Sequence, residues 1–181
     1  ILIVSVMGTG ETSKEVVEDF IKTALIAKES GADIIEANLS CPNIQAKEGL
    51  LFCDIETSFQ IASSLSKAIF PLPLVVKVGA YSHFNAMKNS FQAFARANVR
   101  GICGINTISA RVINDNGSPA LGFGREVSGV CGDAIREVAL QFTRDAYEVI
   151  RSERLGLDLI GCGGIMRPEH FDDFFAAGAK A

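Results

Sequence analysis

The chain has 181 residues, of which 48% are hydrophobic, and its mean hydropathy is +0.27. That is enough apolar material to bury a core and too much for a disordered segment. With 17 Lys and Arg against 21 Asp and Glu, no basic cluster and a net charge of −4, nucleic acid and anionic membrane drop out as partners, which leaves a small molecule.

In chain order, residues 1–7 (Ile-Leu-Ile-Val-Ser-Val-Met) are apolar, too short to cross a bilayer and without a basic flank, so they read as a strand already under way at its start. Thr12-Ser13-Lys14-Glu15 has the capping-box pattern. It opens a helix with Val16, Val17, Phe20, Ile21, Ala24 and Leu25 on one face and Gly31 as its stop. Further strands are expected over 33–38, 74–78, 101–106 and 157–161, each short, continuously apolar and ended by Gly, Asn or Ser. Helices are expected near 55–69, 84–97, 133–152 and 168–176, the last opening on Pro168. Residues 108–132 carry Gly117, Gly122, Gly124, Gly129, Gly132 and Pro119 with no helical period. A loop of that length is expected to be a lid, a binding loop or a mobile segment.

Alternating β and α segments imply a parallel sheet, either a closed (β/α)8 TIM barrel or an open doubly wound sheet. Polar residues gather at strand ends, as in a barrel, and no G-x-G-x-x-G follows a strand. The barrel is therefore preferred. Five strands fall short of eight, and a whole barrel takes roughly 250 residues. Residues 1–181 are thus expected to be a single partial barrel domain, strands three to seven, truncated at both ends. Two raw sheet edges predict poor solubility or oligomerisation in isolation.

Asn38-Leu39-Ser40-Cys41-Pro42-Asn43 sits where the 33–38 strand stops and places a thiol between two amides. A tuned thiol moves protons, and Asn matches the lactam edge of a neutral heterocycle. Taken singly, Cys41 also reads as a small buried hydrophobe and Asn43 as a turn residue. The reading gains from recurrence along the chain. Lys77 lies inside an apolar strand, where an ammonium is costly unless it meets an anion or lines a site. Asn106-Thr107 ends the next strand with two hydrogen-bonding side chains. Gly129-Val130-Cys131-Gly132 and Gly161-Cys162-Gly163-Gly164 stand at junctions where backbone N–H groups reach a phosphate.

The five cysteines, Cys41, Cys53, Cys103, Cys131 and Cys162, are singly placed without a C-x-x-C pair. They fit neither a zinc ribbon nor a disulfide framework and favour a reducing cytoplasm. Cys53, Cys103, Cys131 and Cys162 read as core or loop packing, with Cys53 on the expected lid. His83 and His170 are too few and too far apart in sequence to announce a metal site.

In that order, N-L-S-C-P-N at 38–43, the strand lysine Lys77, Asn106-Thr107, G-x-x-G at 129–132 and G-G-I at 163–165, these motifs resemble the FMN-dependent dihydroorotate dehydrogenases. The flavin domain of dihydropyrimidine dehydrogenase is near kin. The resemblance covers almost the whole chain. It implies a cytoplasmic flavoprotein of pyrimidine biosynthesis that oxidises dihydroorotate to orotate, with FMN as cofactor. It makes Cys41 the catalytic acid/base on the pyrimidine's C5 and Asn38, Asn43, Asn106 and Thr107 ligands of the substrate ring. Lys77, Asn106, Gly132, Gly163 and Gly164 become FMN contacts. Cys41 in place of a serine points to the soluble rather than the membrane-associated branch. A homodimer or an electron-transfer partner subunit is the kind of partner implied.

The chain departs from the family pattern at Ser128, where a glycine is common, and at Glu137, where a proline is, while Arg136 is retained. An upstream lysine, a further asparagine and the last phosphate-binding strand are not in the chain, so it is expected to hold FMN weakly or not at all by itself. Two substrate readings stay open beside dihydroorotate. Asn106-Thr107-Ile108-Ser109 and Gly117-Ser118-Pro119-Ala120-Leu121-Gly122 look more like the uracil- and thymine-reducing relative, and Pro42-Asn43 more like the dihydroorotate version. A catalytically silent homologue that binds a ligand or partner is the non-enzyme alternative, and an aldolase-like barrel with Lys77 as a Schiff-base lysine is a weaker one.

Overall fold

The computed structural model describes residues 1–40 and 50–181. Among these described residues the order is β1 (Ile3–Val6), α1 (Ser13–Glu29), β2 (Ile34–Asn38), α2 (Ile55–Ala68), β3 (Leu74–Val78), α3 (Phe84–Arg96), β4 (Gly101–Gly104), β5 (Ile108–Arg111), β6 (Val127–Val130), α4 (Arg136–Ser152), β7 (Asp158–Gly161) and α5 (Glu169–Ala176). Short 3-10 turns lie at Leu51–Cys53 and Gly132–Ile135. The capping box at the head of α1 is formed. Thr12 Oγ1 accepts the Glu15 N–H at 3.2 Å, and the Glu15 carboxylate accepts the Thr12 N–H at 3.1 Å. Val16, Phe20, Ala24 and Ala27 make its buried stripe. Asp54 caps α2 through the Thr57 N–H at 3.1 Å, and Ile61, Ala62 and Leu65 are buried along it.

β1, β2, β3, β4 and β7 form one parallel sheet in that spatial order. Each strand is added on the same side of the last, so right-handed crossovers put every connecting helix on one face. An open doubly wound sheet would reverse its order at a switch point. Successive helices pack on one another accordingly, from α1 on α2 through to α4 on α5. The sheet is therefore a sector of a (β/α)8 barrel, five strands of it, as the alternating pattern predicts.

Alternation along the strands sorts the side chains. Ile35, Ala37, Leu39, Val76, Val78, Ile102 and Leu159 are buried on the helix side, with Phe20, Phe91, Phe94 and Phe174 brought in by the helices. Each such side chain contributes on the order of 1.5–3 kcal/mol of transfer free energy. Glycine sets how closely the last helices approach. A Cβ on Gly104 would run into the Phe142 ring, and one on Gly161 into the Phe174 ring. The opposite set, Glu36, Asn38, Lys77, Cys103 and, just past β7, Cys162, lines the other face of the sheet.

The stretch 108–132 differs from its sequence reading. Where no strand is expected, it contains an antiparallel hairpin, Ile108 facing Val130 and Arg111 facing Val127, with a further bridge between Ile113 and Pro119. Four-residue strands joined by a long Gly- and Pro-rich excursion carry no tight-turn signature, which is why the pattern escapes a period count. Leu51 and Phe52, next to Cys53, are docked against the barrel sector. Leu51 and Phe52 are buried, the Phe52 N–H donates to Leu39 O at 3.2 Å, and the Phe52 ring meets Tyr81 edge-on at 4.9 Å, leaving Cys53 exposed.

Candidate active site

The carboxyl ends of β2, β3, β4 and β7 are laced together by polar contacts. Asn38 Oδ1 accepts both the backbone N–H and the hydroxyl of Ser40, at 3.1 and 3.0 Å. This Asx-type bond fixes the side chain and turns the chain out of β2. Asn106 Nδ2 donates to Ser40 O at 3.2 Å, while its backbone N–H donates to Val78 O at 2.9 Å. One asparagine at the end of β4 thus holds the ends of β2 and β3 together.

Lys77 lies between them. It is level with Asn38 on β2 and Cys103 on β4. Burial works against its ammonium, but Cys103, Cys162 and the Glu36 carboxylate together outweigh that and raise its pKa, so Lys77 stays charged. Glu36 is in turn held by the Ser5 hydroxyl, which donates to it at 2.7 Å. The Glu36 carboxylate and the two thiols beside it are the physical reason a charged lysine is tolerated within an apolar strand.

Cys103 and Cys162 complete this face. The neighbouring Cys103 thiol and the charge of Lys77 bring the Cys162 thiol down to about 6 against the opposing pull of burial. The Cys103 thiol moves up, held in the protonated state by the neighbouring Cys162 and by burial. Of the two, Cys162 is the one drawn toward the thiolate and Cys103 the one held as the thiol. Sequence reasoning set both aside as packing. The signal that would have found them is strand alternation, since Cys103 stands level with Lys77 and Cys162 is two residues beyond Ile160, the residue level with Cys103.

Beside the strand ends lies a glycine-lined turn. Gly132, Gly163 and Gly164 all have positive φ, +75°, +128° and +74°, a region L side chains avoid. A Cβ on Gly164 would come within 2.6 Å of Arg136 Cβ and 2.8 Å of Gly132 O, so the turn after β7 presses directly on the head of α4. Gly132 faces open space, with nothing within 4 Å of where a Cβ would stand. Arg136 is spanned by carboxylates, Asp133 at 3.4 Å, Glu137 at 2.9 Å and Asp173 at 3.4 Å.

The structure thus brings Asn38, Lys77 and Asn106 to one end of adjacent strands and Gly132 against Gly164, with Gly163 packed on Ala139 of α4. Thr107 is exposed, and its hydroxyl lies over Gly129 of β6. Cys41 and Asn43 lie outside the described residues. Surface clefts among the described residues run elsewhere, between α1 and α2 beside Val17 and Phe59 and between α4 and α5 beside Leu140 and Ala177. They lie on the helical side, away from the polar strand ends. No group of three or more His, Cys, Asp or Glu among the described residues could hold a metal ion. No helix among them is long and apolar enough to cross a membrane.

A family model described as dihydroorotate dehydrogenase matches residues 2–181. The chain is 41% identical over 181 residues to a dihydroorotate dehydrogenase of Dictyostelium discoideum, covering 98% of this chain and 49% of that protein. It is 33% identical over 171 residues to the catalytic subunit of dihydroorotate dehydrogenase B (NAD(+)) of Anoxybacillus flavithermus, covering 91% and 50%. The Bacillus caldolyticus protein of the same name is 30% identical over 167 residues, again covering 91% and 50%. The chain spans about half the length of the curated relatives it matches.

Proposed function

The chain belongs to the dihydroorotate dehydrogenase family, and from that premise we propose that its polar strand ends belong to a flavin-dependent site that oxidises (S)-dihydroorotate to orotate in pyrimidine biosynthesis. The observation that carries the reading is the joint placement of Asn38, Lys77 and Asn106 on neighbouring strand ends, with a positive-φ glycine turn at the head of α4 beside them.

That turn suits FMN. Gly132 leaves open the space a side chain would fill, and Gly163 and Gly164 bring backbone to the start of a 17-residue helix, whose positive end favours a phosphate. Bound there, FMN would accept the hydride from C6 of the substrate. Lys77 would hold the flavin ring, its positive charge kept in place by Glu36 and the two thiols and available where electrons arrive. Asn106 would touch both flavin and substrate. Asn38 and Asn106 have their orientations preset by Ser40, so they offer amide groups to a pyrimidine edge at little entropic cost. Asn43 and Thr107 would complete that set. Cys41, one residue past Ser40, would take the C5 proton as general base.

We place the protein in the cytoplasm, where thiols stay reduced, and propose that it works as a homodimer or with an electron-transfer subunit, as the NAD(+)-named bacterial relatives suggest. An anaerobic titration of the FMN-loaded gene product tests the whole reading. Dihydroorotate should bleach the flavin's visible absorbance and dihydrouracil should not. Bleaching by dihydrouracil alone would move the substrate to the uracil and thymine class, and no bleaching by either would leave a ligand-binding barrel.

A further inference from the structure

Gly129 is a glycine that its own backbone does not require. The other glycines between β5 and α4, Gly117, Gly122, Gly124 and Gly132, all have positive φ, and no non-neighbouring atom of the described residues lies within 4 Å of where their Cβ would stand. Backbone conformation accounts for them. Gly129 lies inside β6 without a positive φ, at a position where most side chains would suit the strand better. A glycine in such a place marks a close approach, and here the neighbour is Thr107. A Cβ on Gly129 would stand 2.5 Å from Thr107 Oγ1, 2.9 Å from its Cβ and 3.4 Å from its Cγ2.

The contact follows from strand register. Ser109 of β5 faces Gly129 in the antiparallel hairpin, so Thr107, two residues earlier, is the diagonal neighbour of Gly129 on the same face. The pair joins two parts of the candidate site. Thr107 follows Asn106, which is pinned by its N–H on Val78 O at 2.9 Å and by its amide on Ser40 O at 3.2 Å. Gly129 stands three residues before Gly132, which lies against Gly164 and opens a turn closed by the buried Ile135. With both flanks held, a side chain at 129 would displace Thr107 itself. Turning its χ1 would not relieve the contact, because the Thr107 Cβ is already too close; the two strands would have to part.

We propose that Gly129 is a positioning residue for substrate binding: by carrying no side chain it lets Thr107 lie over β6 and so sets where the Thr107 hydroxyl meets the pyrimidine ring. The inference rests on the reading of Thr107 as a ligand of that ring, and Gly129 acts only through it. Asn106 and the glycine turn have anchors of their own. The effect therefore falls on substrate affinity, and leaves FMN binding and the chemical step as they are.

Gly129→Ala, Thr107→Ala and the double variant of the FMN-loaded gene product test this, each checked for bound flavin and a native circular dichroism spectrum. Steady-state rates with dihydroorotate give KM and kcat, and equilibrium dialysis gives the dissociation constant of orotate. Each single variant should raise KM and that constant about three- to tenfold with kcat unchanged, the cost of one hydrogen bond. The double variant should be no worse than Thr107→Ala alone. An equal added cost of Gly129→Ala with and without the Thr107 hydroxyl, or no cost at all, overturns the proposal. Loss of flavin or of the native spectrum in Gly129→Ala overturns it too, since the glycine would then serve the turn or the fold. Unchanged constants in Thr107→Ala would instead sink the reading of Thr107 as a ligand, and the proposal with it.

Discussion

The two faces of the sheet in this molecule are made from the same five strands and behave as different materials. On the helix side, Ile35, Ala37, Leu39, Val76, Val78 and Ile102 are closed over by phenylalanines from α1, α3 and α5. On the other side, one residue along each strand, stand Glu36, Asn38, Lys77 and Cys103, polar groups of which Glu36, Lys77 and Cys103 are coupled by charge instead of packing. The period of two lets one strand serve stability with one set of residues and chemistry with the next. Substitutions should therefore separate cleanly into those that unfold the protein and those that only disable it.

The largest expected effect is on the chemical side. Cys41→Ala should lower turnover by about 10²–10⁴ while FMN remains bound and the melting temperature unchanged; flavin reduction by dihydroorotate under stopped flow would measure it, and near-normal reduction would remove Cys41 from its role. On the packing side, Phe91→Ala empties a fully buried site and should cost about 3–5 kcal/mol in urea unfolding. A loss below about 1 kcal/mol would mean that the helix face is far looser than the burial implies.

Lys77→Met probes the boundary between the two. Removing a half-buried ammonium leaves Glu36 and the Cys162 thiolate without their cation, so FMN reduction should slow and the Cys162 thiol should titrate higher, with little change in unfolding free energy. A pH profile of Cys162 alkylation reads this directly. Only the thiolate reacts, and because its pKa is brought down to about 6 the rate in the parent protein should be near its plateau at neutral pH and fall as pH drops through that value. A midpoint at the ordinary thiol value in the parent would mean that neither Cys103 nor Lys77 acts on it. The smallest effect is expected in the hairpin excursion, where Phe123 is fully exposed. Phe123→Ser should change stability by no more than about 0.5 kcal/mol by thermal melting.

Much of the architecture was legible in the sequence because each signal is local. The capping box at Thr12 and Glu15, the stripe Val16, Phe20 and Ala24, and the short apolar runs at 34–38 and 74–78 specify helix or strand through neighbours a few residues away. Lys77, Asn38 and Asn106 could be singled out as well, since a polar group at the end of an apolar strand is anomalous by itself. The residues that escaped are those whose meaning depends on a partner distant in the chain. The Cys162 thiol is drawn down only because β7 lies next to β4, which puts it on the same side of the sheet as Cys103, 59 residues away, and in the field of Lys77 on β3. The hairpin of β5 and β6 likewise depends on pairing across an excursion whose composition alone reads as loop. Amino-acid order determined the βα alternation, the helix caps and the two-sided strands, for these follow from backbone preference and hydrophobic period. Only the tertiary structure decided which side chains meet, because contact and charge coupling fall off within a few ångströms and the chain brings such groups together by strand order.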